Sequence, residues 1–478
     1  MDSSLFLRMS TINVEWLFDN MKEIQISEGE SIIDEGSQTD CLMFVEEGVF
    51  ALNYSIASEI EISKLGPGSV IGVEGFLTRK KSDFNVIASE PGKILVIPFS
   101  LLDKHLEDSD QFAANFHETL CRIFSKRLRR YKANSVKSDI KEIIDSRQML
   151  GPLTGMMESF KNNIFKANEA INSKKPEQMQ AFEEALTKDY KDVYLEMDRI
   201  LGDKSELNED MKLQIGGMIQ KELLPYILLT NIFNRSYTKP RGYAGDFLTI
   251  AHMYDNVPRG TGELGMLLDK VSLKESPALI AVQNRRKLLA REIKKTIDNA
   301  NGGVAYITSM ACGPAQELFD VYDQLENKGL LNTQLVDIDL EALAFVSSKK
   351  EKYKHTLPMT FHHQNLVFLS VGRTKINIRP QQLMYSIGLI DYFEDDFVLR
   401  LMNYCYDQLD EGGRIILGNF HPDNKSKAFQ DHVLDWKLLH RTEEDMDQLY
   451  QKSKFKSKST NIWFEEQRIN LFAECVKT

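Results

Sequence analysis

The hydrophobic spacing of this chain changes twice along its length, and no single packed layer satisfies all three patterns. From residue 20 to 100, short apolar runs are cut by glycine turns. They include Glu23-Ile24-Gln25-Ile26, Ser31-Ile32-Ile33, Leu42-Met43-Phe44-Val45, Val49-Phe50-Ala51-Leu52, Ile60-Glu61-Ile62, Val86-Ile87-Ala88 and Ile94-Leu95-Val96-Ile97. Strand signals at this spacing indicate an all-β barrel or sandwich, and a barrel is expected. Beyond residue 100 the period becomes helical, with Phe112, Phe116, Leu120, Ile123 and Phe124 forming one stripe. Residues 155 to 235 continue as helices. The last 175 residues or so alternate strand and helix, the pattern of a doubly wound sheet.

The length, 478 residues, fits three such units at ~150 residues per domain. The boundaries read as 1–135 for the β unit with its trailing helix, 136–295 for the helical region and 296–478 for the α/β unit. Gly151-Pro152 reads as a break, and Pro225 as the end or kink of a helix. No apolar run approaches the ~20 residues of a membrane span. The start, Met1-Asp2-Ser3-Ser4, is unlike a signal peptide, so a cytoplasmic location is expected. Cys41, Cys121, Cys312, Cys405 and Cys475 are isolated, which argues for reduced thiols and against zinc. His362-His363 falls on a strand, where neighbours point to opposite faces, so no metal is expected.

The net charge of −11 argues against bulk nucleic-acid binding. It conceals a basic segment, Arg122 to Lys132, with no acid in it. Two readings fit: a nucleic-acid or anionic-lipid patch, or a solvated helix face. No second recognition helix follows at once, which favours the solvated face. The stripe from Phe112 to Leu128 suggests a homodimer.

The chemistry is sought at the carboxyl ends of the C-terminal strands, where a doubly wound sheet binds its ligand. The expected strands are Val304 to Ser309, Gln334 to Asp337, Met359 to His363, Gln382 to Ser386 and Gly413 to Gly418. Asn461 to Phe464 and Ile469 to Ala473 read as a closing hairpin. After the first strand, Met310-Ala311-Cys312-Gly313-Pro314 holds one glycine. A pyrophosphate needs several, which argues against NAD and FAD. A nucleoside without phosphate needs less: one small residue for close approach and one acid for its ribose hydroxyls. Gly313 and Asp337 supply these, with Ile338 following. Gln364-Asn365, after the third strand, are placed to read an adenine edge. Ser386 and Gly388 end the fourth, beside the reaction site.

On these residues the chain resembles the class I S-adenosylmethionine-dependent methyltransferases, which have a Rossmann-like sheet. Met310 to Pro314 stands at the family's glycine-rich motif, Val336-Asp337-Ile338-Asp339 at its second-strand motif, and Leu409 to Arg414 at the turn before its fifth strand. The resemblance implies S-adenosylmethionine as cofactor and Asp337 as ribose ligand. In this chain Ser309 stands where the family often has an acid, and Ala311 and Ala315 where it has glycines. A narrower resemblance rests on Lys239-Pro240-Arg241-Gly242-Tyr243-Ala244-Gly245-Asp246, Tyr385 to Phe393, Gly418-Asn419-Phe420-His421-Pro422 and Asp435 to Thr442. These are similar to bacterial methyltransferases of the 3-hydroxypalmitic acid methyl ester biosynthesis type, which implies a fatty-acid-like acceptor. Candidate roles follow. Arg241 and Tyr243 close over the cofactor with Asp246, Arg241 holding a carboxylate. His421 acts as a base, bonds a substrate oxygen, or is a loop histidine bonded to backbone. Tyr392 and Trp436 are core residues or pocket walls. The acceptor is a small molecule, and a different O or N nucleophile remains an alternative. So does a ligand-sensing or scaffold protein built on a degenerate methyltransferase fold.

Residues 10 to 130 resemble the cyclic-nucleotide-binding domain through Glu28-Gly29-Glu30, Asp34-Glu35-Gly36, Glu46-Glu47-Gly48 and Leu65 to Gly72. The phosphate cassette departs from the pattern. Val73 stands at the ribose acid, Glu74 is one residue late, and the phosphate arginine falls at about Ser82, with Arg79, Lys80 and Lys81 off register. A serine does not replace a bidentate guanidinium. Tight cyclic-nucleotide binding is not expected, and the domain reads as regulatory or assembling.

Overall fold

The computed structural model describes residues 11–53, 63–82, 84–109, 112–113, 116–117, 120, 147–353 and 356–478. After helix α1 (Thr11–Asp19), eight strands form two four-stranded antiparallel sheets. In the first sheet β1 (Lys22–Ile26) pairs with β8 (Gly92–Pro98), β8 with β3 (Cys41–Glu47), and β3 with β6 (Val70–Ile71). In the second, β2 (Ser31–Ile33) pairs with β7 (Asn85–Ala88), β7 with β4 (Phe50–Asn53), and β4 with β5 (Ser63–Leu65). The expected barrel is therefore a two-sheet roll, closed by side chains rather than by a strand pairing among the described residues. Ile33, Met43, Phe50, Leu65, Val86 and Ile94 fill it. Alternation along a strand places one face inward in either architecture, so spacing does not distinguish them. Residues 60–62, expected as strand, lie outside the described residues.

Helix α2 (Val73–Thr78) follows β6, and α3 (Phe99–Asp108) follows β8. Phe112, Phe116 and Leu120 are fully buried. Phe116 lies 5.7 Å from the Phe76 ring of α2, and Phe112 lies 5.6 Å from Trp16 of α1. These three members of the apolar stripe pack into the chain's own core, and the rest of the stripe expected to form a dimer lies outside the described residues. Arg122 to Lys132 lie outside the described residues.

The middle region contains α4 (Arg147–Asn172), α5 (Met179–Leu201), α6 (Glu209–Ile227), α7 (Asn231–Thr238), α8 (Phe247–Asp255), α9 (Gly262–Glu275) and α10 (Pro277–Asn299). Gly151-Pro152 is not a break, because α4 runs through it. Pro225 lies in the last turn of α6, which ends at Ile227. None of the described helices is long and apolar enough to cross a membrane.

The C-terminal sheet has seven strands, ordered β11 (Met359–His363), β10 (Leu331–Asp337), β9 (Ala305–Met310), β12 (Gln381–Ile387), β13 (Leu409–Phe420), β15 (Asn470–Val476) and β14 (Asn461–Phe464). The first five are parallel, and β15 runs antiparallel to both of its neighbours, giving the expected closing hairpin. Intervening helices are α11 (Gln316–Gln324), α12 (Leu340–Lys350), α13 (Leu366–Ser370), α14 (Asp395–Gln408), α15 (Lys427–His432) and α16 (Glu443–Lys452). Residues of β9 and β12, the central strands, are buried on both faces, as covered parallel strands require. Leu383 and Ile416 face Leu289 of α10 and Phe319 of α11. Met384 and Ile415 face the opposite way, toward Phe397 and Leu401 of α14 and Met446 of α16. Strand order reverses between β9 and β12, and the loops that leave these strands define the switch-point crevice.

The roll packs directly on this α/β unit. Leu42, Phe44 and Leu95 belong to the same apolar cluster as Leu366, Phe368, Leu389 and Phe393. Phe18 meets Phe368 edge to face at 4.4 Å, and Arg373 lies over the Phe18 ring at 4.3 Å.

Candidate functional site

The loop leaving β9 carries three residues in left-handed conformation: Ala311 at φ 51°, Gly313 at 52° and Ala315 at 47°. Two are alanines, so the backbone retains a glycine conformation at a cost of about 1–2 kcal/mol each. A Cβ built on Gly313 would meet nothing within 4 Å, which leaves this stretch of backbone open to the crevice. Gly313 N–H donates to Asp337 Oδ2 at 2.9 Å, and Asp339 N–H donates to Asp337 Oδ1 at 2.9 Å. Asp337 is thereby fixed at the end of β10 with its carboxylate in the crevice. Burial pushes its carboxyl up to about 6, against these backbone donors that pull it down.

The loop 239–246 lies over the same strand end. Arg241 donates to Asp339 through Nε at 3.0 Å and Nη2 at 2.9 Å, and Tyr243 Oη donates to Asp339 Oδ2 at 2.9 Å. Asp339 also caps α12, accepting from Glu341 N and Ala342 N. Two glycines permit this loop. Gly242 has φ 80°, and a Cβ on it would lie 2.7 Å from Gly66 Cα of the roll. Gly245 has φ 73°, and its Cβ would lie 2.7 Å from the Tyr392 hydroxyl and 2.9 Å from the Trp436 ring. Both positions need positive φ and close approach together.

A cavity of about 1140 Å³, counting its open mouth, fills the switch point. Residues 309–314, Asp337, Ile338, Gly388, Tyr243 and Gly245 line it. Its apolar wall is Phe247, Ile250, Met253, Leu279, Val282, Phe420, Trp436 and Leu438. Trp436 Nε1 donates to Tyr392 Oη at 2.9 Å, and Tyr392 Oη donates to the Ala244 carbonyl at 3.1 Å, which fixes both rings. Arg285, 4% exposed on α10, also lines it, with Nε 3.5 Å from the Tyr254 hydroxyl. Asp391 accepts from Phe420 N at 2.6 Å, and its carboxyl is pushed up to about 6 by burial, against the pull of Arg285 and Arg441. Glu317 accepts from Tyr385 Oη at 2.8 Å and is raised by burial. A second cavity of about 880 Å³, likewise counting its open mouth, adjoins it, sharing Tyr243, Ala311, Ile338 and Leu389 and reaching Gln364 and Asn365.

The sequence-derived candidates thus divide. Ala311, Gly313, Asp337, Ile338, Gly388 and Tyr243 meet in the first cavity, and Gln364 and Asn365 line the second. Four candidates stand elsewhere. His421 follows Phe420, and neighbours at a strand end point apart. Its Nε2 is 3.2 Å from Glu443 Oε2 and its Nδ1 accepts from Asp423 N, outside both cavities. Arg241 is paired with Asp339 and Glu341 and braces the loop. Asp246 caps α8 and pairs with Arg235 at 2.8 Å. Ser386 Oγ donates to the Met310 carbonyl, tying β12 to β9.

Arg285 and Asp391 were not singled out by sequence. Arg285 left a signal: it falls among Ala281, Val282, Leu288 and Leu289, the buried face of α10. A guanidinium on an apolar stripe requires a partner or a ligand.

By sequence, residues 23–109 match the model of the cyclic nucleotide-binding domain, in keeping with the two-sheet roll. Among curated proteins none matches the chain. Among solved structures, the chain is similar to a possible exported protein from Bordetella parapertussis. The identity is 16%, with 69% of this chain and 96% of that one covered and a TM-score of 0.44. A putative cyclic nucleotide-binding protein from Geobacter metallireducens is 20% identical over 26% of this chain and 92% of that one, with a TM-score of 0.24. Magnesium protoporphyrin IX methyltransferase from Synechocystis, solved with bound SAM, is 11% identical over 42% of this chain and 83% of that one, with a TM-score of 0.31.

Proposed function

We propose that the chain is an S-adenosylmethionine-dependent methyltransferase. Its acceptor is a small acidic or fatty-acid-like molecule such as a 3-hydroxy acid, and the methyl group goes to oxygen. The observation that carries this reading is Asp337, buried at the end of the second parallel strand beside the open Cα of Gly313. A carboxylate there accepts two ribose hydroxyls, and the lone glycine admits a nucleoside but offers no pyrophosphate cradle. Arg285 is the cation placed for the carboxylate of the donor's methionine part, replacing Arg241 in that role. Gln364 and Asn365 lie one strand beyond Asp337, where the base attached to that ribose must fall.

The donor supplies an already activated methyl group, so the protein's work is orientation and exclusion of water. Tyr392 and Trp436, locked together, wall the reaction end, and Tyr243 covers the ribose end. No histidine lines either cavity among the described residues. That favours a nucleophile already ionised at neutral pH, a carboxylate, which needs no base. The apolar wall from Phe247 to Leu438 suits an alkyl chain on the acceptor.

The proposed division is a regulatory or assembly domain over 1–135, a helical region over 136–295 that contributes the 239–246 loop, and a catalytic domain over 296–478. The N-terminal domain is not a tight cyclic-nucleotide site. Val73 is buried, the Ser82 hydroxyl donates to the Phe84 carbonyl, and Arg79 pairs with Asp103. Calorimetry with S-adenosylmethionine tests the donor, and absence of heat at sub-millimolar ligand overturns the reading. A radiolabelled methyl assay on 3-hydroxy fatty acids tests the acceptor, and transfer only to amines or phenols rejects it.

A further inference from the structure

The second cavity has two owners. Gln364, Asn365, Leu366, Leu389 and Phe393 belong to the α/β unit. Phe44, Val45, Glu46, Pro67, Gly68 and Leu95 belong to the N-terminal roll. Between the domains the backbones touch: a Cβ on Gly66 would lie 3.0 Å from the Arg241 carbonyl oxygen and 3.1 Å from Gly242 Cα. The roll is therefore seated on the 239–246 loop that covers Asp337, with its own strand β3 and its 66–68 turn facing the end of β11.

We propose that the N-terminal domain forms the outer wall of the donor's nucleobase pocket, so that the adenine is held between the two domains. The inference rests on the donor reading above. A base joined to a ribose on Asp337 passes Tyr243, Ala311, Ile338 and Leu389, the residues common to both cavities, and enters the second. Its two flat faces need apolar walls, which Leu366 and Leu389 provide on one side of the interface and Phe44 and Leu95 on the other. Its polar edge needs both donors and acceptors. Asn365 Oδ1 is committed to Val367 N, which turns its amide toward donation. Glu46 lines the cavity from the roll with its carboxylate held 3.3 Å from Lys93 Nζ, an acceptor matched to the exocyclic amine.

The consequence is linkage. The 66–68 turn continues through β6 into α2, the segment where the resemblance places the phosphate cassette. Any ligand or partner that shifts this segment shifts a wall of the donor pocket, and donor binding acts back on the roll by the same factor.

Hydrogen exchange on the full wild-type chain, with and without S-adenosylmethionine, tests this without any substitution. Donor should slow exchange in residues 43–47 and 66–70 as well as in 309–315, 337–342 and 364–368. Pro67→Trp, filling the cavity from the roll side, should weaken donor binding at least tenfold by calorimetry, and Glu46→Gln several-fold. Protection confined to the α/β segments, with wild-type affinity in Pro67→Trp and lost affinity in Asp337→Ala, overturns the inference while leaving the donor reading intact. Absence of donor binding to the wild-type chain overturns both. Protection of 43–47 by a 3-hydroxy fatty acid but not by donor would assign the cavity to an acyl chain and overturn the inference.

Discussion

Replacing Asp337 by asparagine separates what this residue costs the fold from what it gives a ligand. Burial raises its carboxyl from 3.8 to about 6. The folded chain therefore binds the proton more tightly than the unfolded chain between those values. Stability falls as pH rises through this window and is flat above it. The two-unit gap corresponds to about 3 kcal/mol of penalty at neutral pH. Asparagine removes that penalty. It also replaces one oxygen by an amino group facing Gly313 N–H or Asp339 N–H, losing a charge-assisted bond that contributes about 1.5–3 kcal/mol. The two terms nearly cancel, so the melting temperature of the free protein at pH 7.5 should move by only a few degrees. Donor affinity has no such compensation. A ribose hydroxyl loses its carboxylate acceptor, and about 2–3 kcal/mol is roughly a 30- to 150-fold weaker Kd. In the wild type, affinity should fall as pH drops below about 6, where Asp337 takes up its proton. Asp337→Asn should flatten that profile. Calorimetry across pH 5 to 8, with differential scanning of the free protein, reads both quantities. Unchanged donor affinity in the variant, or a pH profile identical to the wild type, would refute the assignment.

Three other outcomes are expected. Gly242→Ala places a Cβ 2.7 Å from Gly66 Cα at a positive φ, so thermal unfolding should show a loss of at least about 1–2 kcal/mol, with proteolysis opening the 239–246 loop first. Arg285→Met keeps the apolar packing of α10 but removes the buried cation, so donor Kd should rise about tenfold or more while the circular dichroism spectrum is retained. His421→Ala should leave the methyl-transfer rate within about twofold, since the ring lies outside both cavities, and a rate loss of a hundredfold or more, the scale of a general base, would restore it as the base.

The parallel sheet was legible because each of its central strands is a short apolar run with a helix period after it. Met359–His363 falls where the sequence places it. The roll was less so, because alternation specifies an inward face and not the sheet that faces it. Pro152 misled because a proline reads as a helix breaker by residue type, whereas the helix runs through it. Side-chain positions were legible only where the backbone decides them. Gly313 and Asp337 are set by strand ends, and register brings strand ends to one edge. Arg241, Asp246, Ser386 and His421 depend on which neighbour takes each polar group first, and each finds a protein partner.

Ala311 and Ala315 show the same distinction from the other side. By residue type they depart from a glycine motif, yet both hold left-handed φ, 51° and 47°. The conformation is therefore imposed on the loop by its tertiary ties. Cys312 N–H donates to the Val336 carbonyl and Gly313 N–H to Asp337, which pin the turn to β10. If the ties impose the turn, Ala315→Gly should relieve strain of about 1–2 kcal/mol against an added unfolded-chain entropy of about 0.5–1 kcal/mol. The net is a stabilisation of up to about 1.5 kcal/mol, read as a raised melting temperature with unchanged donor affinity. A lowered melting temperature would mean that the alanine methyl, fully buried against the core, contributes more than the strain removes.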